Sequence, residues 1–199
     1  MEFVDGLTEI PDDKLATIVT YLQMFERPEL RPVAAPEGVS LQRHDAPDLS
    51  WYRSLFRAVG GDYLWVSRLE TPDADLSAHL SHDNVSVWSV RKNGEDLGLL
   101  ELEWKDGECE LSFFGLAQPL IGGGVGRWLM NQAIEFAFER PIQRFFVHTC
   151  TLDSAQALPF YIRSGFSPYR RALEIMQDPR LGGYYAADAA PQLPYLVKD

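Results

Sequence analysis

Two short turn sequences constrain most strongly how this chain folds. Asn93-Gly94 and Asp106-Gly107 each lie between runs in which apolar and polar residues alternate. Asn-Gly and Asp-Gly are the pairs that two-residue hairpin turns prefer, because both central positions of these turns need a positive φ. The pattern therefore predicts a three-stranded antiparallel meander with strands over about 85–91, 97–104 and 108–116.

The segments around the meander show the periodicities of further strands and helices. A strand is expected at 39–43, and apolar residues at helical spacing predict helices over 47–59 and 72–80. Downstream we expect a helix over 127–139, a strand over 144–151, a helix ending at 164 and a strand over 166–175. Together these elements predict an α/β fold of the α+β mixed-sheet kind, with a mixed, mostly antiparallel sheet and helices on both faces.

The two ends of the chain have a different character from the centre. Leu15, Ile18 and Leu22 recur at helical spacing, and Pro28 would end such a helix. We therefore expect an N-terminal helix and a proline-rich connector over 1–38, a compact domain over 39–177 and a C-terminal tail over 178–199. The tail either wraps the surface or is mobile.

A glycine-rich run, Gly122-Gly123-Gly124-Val125-Gly126, lies between a predicted strand and a predicted helix. Backbone N–H groups at such a helix start can bind phosphate oxygens, although a flexible turn is the simpler alternative. A dinucleotide fingerprint would need a further glycine at Arg127 or Leu129. A P-loop would need Lys and Ser or Thr directly after Gly126. Neither pattern is present in this run.

Residues 121–127 resemble instead the pyrophosphate loop of the GCN5-related N-acetyltransferase (GNAT) superfamily, whose signature is Gln/Arg-x-x-Gly-x-Gly/Ala. Gly124 and Gly126 match its glycines, while Ile121 replaces the polar residue. A second motif of the family, Asn-x-x-Ala-x-x-x-Tyr followed by Gly-Phe, is similar to the segment from Ser154 through Tyr161 to Phe166, which Pro159 interrupts. The resemblance covers about residues 39–175.

The resemblance implies a GNAT-like fold and transfer of an acetyl group from acetyl-CoA to a primary amine of a small molecule or protein. It assigns acetyl-CoA, as co-substrate, to the backbone of the strand near Phe114 and Leu116, where Gly115 would permit a bulge. It assigns the phosphates to the loop and helix start, and Tyr161 to protonation of the departing thiolate. The implied cofactor-binding residues are Phe114, Leu116, Gly122, Gly123, Gly124, Val125, Gly126, Arg127 and Ser154.

A glutamate eleven positions before the loop signature is the general base in some members of the family, and that position is Glu110. Burial would raise the pKa of such a carboxylate toward neutrality, which suits a base. Glu101 and Glu103 are competing bases, because their spacing puts them on one sheet face. An exposed carboxylate or a cross-strand ion pair is the structural alternative for Glu110.

Two other kinds of function remain open. A non-catalytic module of the same fold could bind acetyl-CoA or a protein partner, and it would not need Glu110. A hydrolase could use Cys150 and His148, which share a strand face, although a buried thiol is the commoner reading. His79 and His82 lack the other ligands of a metal site, so no metal is expected.

The formal net charge of −11 disfavours nucleic acid and anionic membranes as partners and favours a cationic acceptor. No apolar run reaches the roughly 20 residues of a membrane span. We therefore expect a cytoplasmic protein in which Cys109 and Cys150 are reduced, a disulfide being the alternative. The acceptor is not readable from the sequence: the aromatic residues of 47–82 suit an acceptor pocket, a homodimer interface or the core.

Overall fold

The computed structural model describes residues 5–196, which form one mixed sheet flanked by helices. The strands are β1 (Lys14–Met24), β2 (Val39–His44), β3 (Val85–Lys92), β4 (Glu95–Lys105), β5 (Glu108–Leu116), β6 (Arg144–Cys150) and β7 (Ser167–Gln177). The helices are α1 (Leu49–Gly60), α2 (Ser67–Glu70), α3 (Asp73–Leu80), α4 (Val125–Phe138) and α5 (Ala157–Arg163). Within the described residues the strand order is β2-β3-β4-β5-β6-β1-β7.

The meander predicted from the two turn sequences is present as β3, β4 and β5. Asn93 and Asp106 adopt positive φ angles of 54° and 53°, as the hairpin turns require. β3 pairs with β4 and β4 with β5, both antiparallel. The fold class expected from the sequence, a mixed and mostly antiparallel sheet with helices on both faces, is confirmed.

Two apolar cores lie on opposite faces of the sheet. One core packs α4 and α5 against alternate strand residues such as Leu100 and Leu102. The other packs α1 and α3 against the intervening residues, among them Val87 and Leu99. α1 begins at the N-cap Asp48, whose carboxylate accepts a hydrogen bond from the Trp51 N–H. Both faces of β3 and β4 are therefore buried, whereas most residues of the edge strand β7 are exposed.

The helix predicted in the N-terminal segment is wrong, because residues 14–24 form strand β1. β1 lies inside the sheet, antiparallel to β6 on one side and β7 on the other. Its buried positions change face along its length, from Thr17 and Val19 to Leu22 and Met24. The step from Val19 to Leu22 reproduces the three-residue spacing of a helix, which explains the misreading.

The helix after β6 is shorter than predicted and starts at Ala157 rather than near Ser154. Pro159 is its third residue, within the first turn, where a backbone N–H has no partner inside the helix. The proline therefore removes no hydrogen bond from α5 and needs no kink. Among residues 5–196, no helix is long and apolar enough to cross a membrane.

The packing of α1 against the following segment gives a test of the fold. A Cβ atom on Gly60 would lie 2.5 Å from two indole carbons of Trp65, whereas one on Gly61 would make only an ordinary contact at 3.5 Å with Tyr185. We expect Gly60→Ala to destabilise the protein by about 1–3 kcal/mol because the indole must shift. Gly61→Ala is the matched control and should lie within about 0.5 kcal/mol of the parent in urea unfolding. Equal stabilities of the two variants would contradict this packing.

Candidate active site

The site is formed where two neighbouring strands part. β5 and β6 pair in parallel only from Glu108 to Glu110. Beyond that point β6 stays paired with β1 as far as Cys150, and β5 stays paired with β4 as far as Leu116. Because each strand follows its other neighbour, a wedge-shaped gap opens in the sheet. The backbone edge of residues 111–116 that faces β6 pairs with no strand among residues 5–196.

A bulge lies at the point where the gap begins, but not where the sequence suggested it. Leu102 pairs with Leu111 and Glu101 with Phe113, so Ser112 is the extra residue. Gly115, expected to permit a bulge, pairs regularly with Leu99. A Cβ atom on Gly115 would instead collide with Val59 and Trp65, so this glycine allows α1 to approach the sheet closely.

A cavity of about 450 Å³ lies in the gap, and residues on both faces of the sheet line it. Residues 63–67 line it on the α1 side, and Gly126 and Tyr161 line it on the side of α4 and α5. His148, Glu174 and Met176 also contribute to the wall. The cavity therefore connects the start of α4 with the face of the sheet that carries α1.

The hydroxyl of Ser112 is an unsatisfied group in this wall. Its oxygen is buried and has no hydrogen-bond partner within the part of the chain described. Ser112 also lines the cavity. Since buried hydroxyls are nearly always paired, a bound molecule would be the natural partner.

The glycine loop lies at the N-terminus of α4, as the sequence predicts. Gly122 and Gly124 have φ angles of 104° and 82°, and Cβ atoms at 122, 123 and 124 would meet only open space. The first intrahelical hydrogen bond runs from the Trp128 N–H to the Gly124 carbonyl, and no side chain caps the helix. The N–H groups of residues 125–127 and the helix dipole thus offer an anion site, whereas the Gly124 N–H donates to the Gly122 carbonyl. Ile121 adds only an exposed apolar side chain.

Cationic side chains surround this helix start. A guanidinium nitrogen of Arg127 donates to the Ser164 hydroxyl at 3.1 Å, and the same group lies over the Phe160 ring. Burial and the neighbouring charges of Arg31 and Arg163 lower the pKa of Arg127. Mutual repulsion of this kind favours a negatively charged ligand between the three arginines. The protein is acidic overall, so this region is a local exception.

Ser154, which occupies the Asn position of the second family motif, lies before α5 rather than in it. Its hydroxyl accepts a hydrogen bond from the Gln156 N–H at 3.3 Å, and the residue lines the cavity. Ser154 is therefore near the same cavity as Phe114, Leu116 and Gly126. The loop before α4 contains Gly122, Gly123 and Gly124, and the helix starts at Val125. The side chain of Arg127 is directed toward Ser164 at the end of α5.

Tyr161 is a buried residue of α5 at the cavity wall. Its ring contacts those of Phe114, Phe160 and Phe166. Burial raises the pKa of Tyr161, with a further contribution from the charge of Asp153, so the phenol is neutral at physiological pH. Its hydroxyl has no hydrogen-bond partner in residues 5–196 and is therefore available as a proton donor to a ligand.

Glu110 reaches the cavity through another residue. It is on β5 opposite Phe146 of β6, and its carboxylate oxygen lies 3.5 Å from Nδ1 of His148. His148 lines the cavity and is half-exposed, whereas Glu110 lines a smaller neighbouring pocket. The interaction with Glu110 raises the pKa of His148, and the charges of Asp153 and Glu174 act in the same direction. No spacing in the sequence could reveal this pair, because the pairing of β5 with β6 brings it together.

Glu101, one of the competing bases, is fully buried and committed to other groups. Its carboxylate accepts hydrogen bonds from the Tyr52 hydroxyl at 2.5 Å and from Arg68 at 2.6 Å, and it lies 3.1 Å from His79. Burial alone would raise the pKa of Glu101, but the His79 hydrogen bond and the Arg68 charge lower it. Glu101 is thus a charged structural group that ties α1 and α3 to β4. Glu103 pairs directly opposite Glu110 and is partly buried.

The two cysteines are free thiols. Cys109 is buried in the core beside α4. Cys150 shares the cavity with His148, but burial and the nearby Asp153 raise the pKa of its thiol. A thiol held in its protonated form is a poor nucleophile, which argues against the hydrolase reading. Within the described residues, no group of His, Cys, Asp and Glu is arranged to hold a metal ion.

Comparison with known proteins gives one family and many structures of the same fold. A model of the acetyltransferase (GNAT) family matches residues 49–166, more than half of the chain. No curated protein gives a significant sequence match. A GCN5-related N-acetyltransferase from Sphaerobacter thermophilus superposes with a TM-score of 0.59 at 13% identity, covering 81% of this chain and 52% of its own.

Two further structures extend the comparison. A GCN5-related N-acetyltransferase from Kribbella flavida has a TM-score of 0.54 at 18% identity, covering 86% of this chain and 63% of its own. An aminoglycoside acetyltransferase from an uncultured soil metagenomic sample has a TM-score of 0.53 at 17% identity, covering 64% of this chain and 88% of its own. The chain thus spans 52% and 63% of the length of the first two structures. At these identities the likeness shows the fold.

The buried Glu101 cluster gives a prediction on stability. Glu101→Gln leaves Arg68 facing a neutral group, so we expect a loss of about 3 kcal/mol in unfolding free energy at pH 7. Because the folded-state pKa of Glu101 is lowered, its contribution is complete above the unfolded pKa and is lost as pH falls through the folded pKa. The variant should therefore lose part of the acid dependence of stability, measured by urea unfolding at several pH values. Glu103→Gln, two residues along the same strand face, is the control; a similar loss there would contradict the argument.

Proposed function

Because this chain belongs to the GNAT family of acetyltransferases, we propose that it transfers the acetyl group of acetyl-CoA to a primary amine of a small molecule or protein. One observation carries the proposal. A single cavity extends from the glycine loop at the start of α4, through the gap between β5 and β6, to His148 on the α1 face. This arrangement lets an anionic donor and an amine approach one another from opposite faces of the sheet.

The donor half of the cavity has the groups that the phosphates of acetyl-CoA need. The free N–H groups at the start of α4 and the three arginines Arg31, Arg127 and Arg163 provide positive potential in an otherwise acidic protein. The unpaired edge of β5 near Phe114 and Leu116 offers backbone groups to an extended amide-containing chain. When bound, acetyl-CoA would supply an acyl group activated as a thioester. We assign Phe114, Leu116, residues 122–127 and Ser154 to its binding.

On the amine half, we propose that His148 accepts the proton and that Glu110 supports it. With a proton on Nδ1 directed at Glu110, Nε2 of the imidazole carries a lone pair and can take a proton from the amine. This assigns Glu110 the part of an orienting carboxylate rather than that of a base in direct contact with substrate. Glu101 has no such part, because its oxygens are already bound.

The remaining steps are formation of the amide bond and protonation of the departing thiolate. The amine nitrogen forms a bond to the acetyl carbon while the bond from that carbon to sulfur breaks. We assign protonation of the departing thiolate to Tyr161, whose neutral hydroxyl is free at the cavity wall. Ser112, with its unpartnered hydroxyl, is placed to donate to a bound carbonyl. The negative net charge of the chain and the carboxylates near His148 favour a cationic acceptor, the class to which aminoglycosides belong.

Binding of acetyl-CoA is the first test. At about a hundred times its dissociation constant, the ligand should stabilise the protein by about 2.7 kcal/mol, raising the melting temperature by several degrees. Gly123→Glu should abolish most of this shift, because it places a carboxylate in the open space over the loop, and Gly123→Gln should retain more of it. Coenzyme A and ATP are ligand controls. No shift with acetyl-CoA would contradict the proposal, and binding without turnover of any amine would favour the non-catalytic module.

The pH dependence of the rate tests the amine half. His148 must be neutral to accept a proton, so the rate should rise with pH through the pKa of His148, which Glu110 raises above its ordinary value. In Glu110→Gln that midpoint should move to lower pH, because the group that favours the imidazolium is gone. His148→Gln should lower kcat by about 10²-fold or more. The Glu103→Gln profile should overlie that of the parent; an unchanged midpoint in Glu110→Gln would refute the pairing.

A further inference from the structure

The C-terminal residues 179–195, here named the strap, are folded around one buried arginine. Arg180 is 5% exposed, and its guanidinium donates three hydrogen bonds of 3.0, 3.2 and 2.7 Å to the Asp178 carboxylate. The same group donates to the carbonyl oxygens of Ala189, Leu193 and Pro194. Five donors in a planar fork thus hold both ends of the strap together. Residues 179–195 of the predicted tail are thus held together by these contacts, and residues 197–199 lie outside the described residues.

The strap is docked on the segment that follows α1. The Tyr185 hydroxyl donates to the backbone carbonyl of Trp65 at 2.5 Å, and the Gln192 side chain donates to the carbonyl of Asp62 at 3.1 Å. Tyr184 and Tyr185 also pack against the core beside α1. Burial raises the pKa of Tyr185 to about 12, so its hydroxyl is protonated and acts as a donor at neutral pH.

Trp65 is the cavity-wall residue that this contact holds. It lies between a short turn at 61–63 and α2, outside any regular element, directly after Leu64 in a left-handed conformation. Its ring packs near those of Phe56 and Phe113, and its indole N–H donates to Asp153 at 3.2 Å. Because no helix or strand determines the backbone here, the position of the indole depends on these few contacts.

We propose that Tyr185 is a positioning residue that sets acceptor preference by holding Trp65 in the wall of the cavity. The inference rests on the proposed function, since it concerns the amine half of that site. Trp65, Tyr63, Phe113 and Met176 give this half an apolar, largely aromatic lining, so the amines that depend on it are those with an apolar or aromatic group. Small amines without such a group do not reach the indole.

Tyr185→Phe tests the inference, with Tyr184→Phe as the matched control. Both remove one hydroxyl from neighbouring strap residues, but only the Tyr185 hydroxyl makes a hydrogen bond within the described chain. We expect Tyr185→Phe to raise KM for phenethylamine by about tenfold, the effect of a misplaced apolar contact. KM for acetyl-CoA, and kcat/KM for ethylamine, should stay within about twofold of the parent, whereas general loss of structure would change all three. Identical constants for the two variants would overturn the inference.

A second measurement separates failure of the inference from failure of the proposed function. Acrylamide quenching of fluorescence, compared between each protein and its Trp65→Phe derivative, isolates Trp65 among the five tryptophans. Trp65 should be quenched more strongly in Tyr185→Phe than in Tyr184→Phe or the parent. Equal quenching overturns the role of Tyr185 whether or not any amine is acetylated. Absence of an acetyl-CoA shift in the parent, with increased quenching in Tyr185→Phe, would sink the proposed function and leave the contact with Trp65 supported.

Discussion

The early separation of β5 from β6 determines the position of the candidate site. β6 is paired with β1 from Phe145 to Cys150 but with β5 only at its beginning. Once the β5–β6 pairing ends at Glu110, each of these strands continues along its other neighbour and the two parts of the sheet diverge. β1 keeps β6 on one side and β4 keeps β5 on the other. The gap that results contains the cavity. The pairing of β1, a strand near the N-terminus, therefore determines where the candidate site forms.

Groups of opposite charge lie on the two faces of the sheet at this gap. The helix start and the arginines near Arg127 lie on one face, and His148 with its neighbouring carboxylates lies on the other. A chain with a net charge of −11 repels an anion at long range, so any anionic ligand depends on short-range donors. The same overall charge attracts a cationic amine. The two substrates that we propose therefore meet opposite fields across one sheet.

Much of the fold could be predicted because its signals are local. Asn93-Gly94 and Asp106-Gly107 predict the meander, and the glycines at 122–126 with the motif around Tyr161 indicate the family. The sequence predicts a helix in place of β1 because the buried side chains of this strand change face between Val19 and Leu22, which imitates helical spacing. Gly115 suggests a bulge, but the bulge lies at Ser112. A glycine that lets a helix approach the sheet closely and a glycine that permits a bulge cannot be distinguished in the sequence.

Residues close together in the chain set the conformation of the hairpin turns, of the loop before α4 with its free N–H groups and of the amphipathic helix α1. These elements could therefore be predicted from the sequence. Which carboxylate is buried in a cluster, and which one faces a histidine, depends on how the strands and helices assemble. Glu101, Glu103 and Glu110 are alike in the sequence, since all three lie on strands. Their partners distinguish them: Glu101 contacts Arg68 and His79, whereas Glu110 contacts His148. Those partners come from elements far apart in the chain. Burial and electrostatics act through space, so they are defined only once the sheet is assembled.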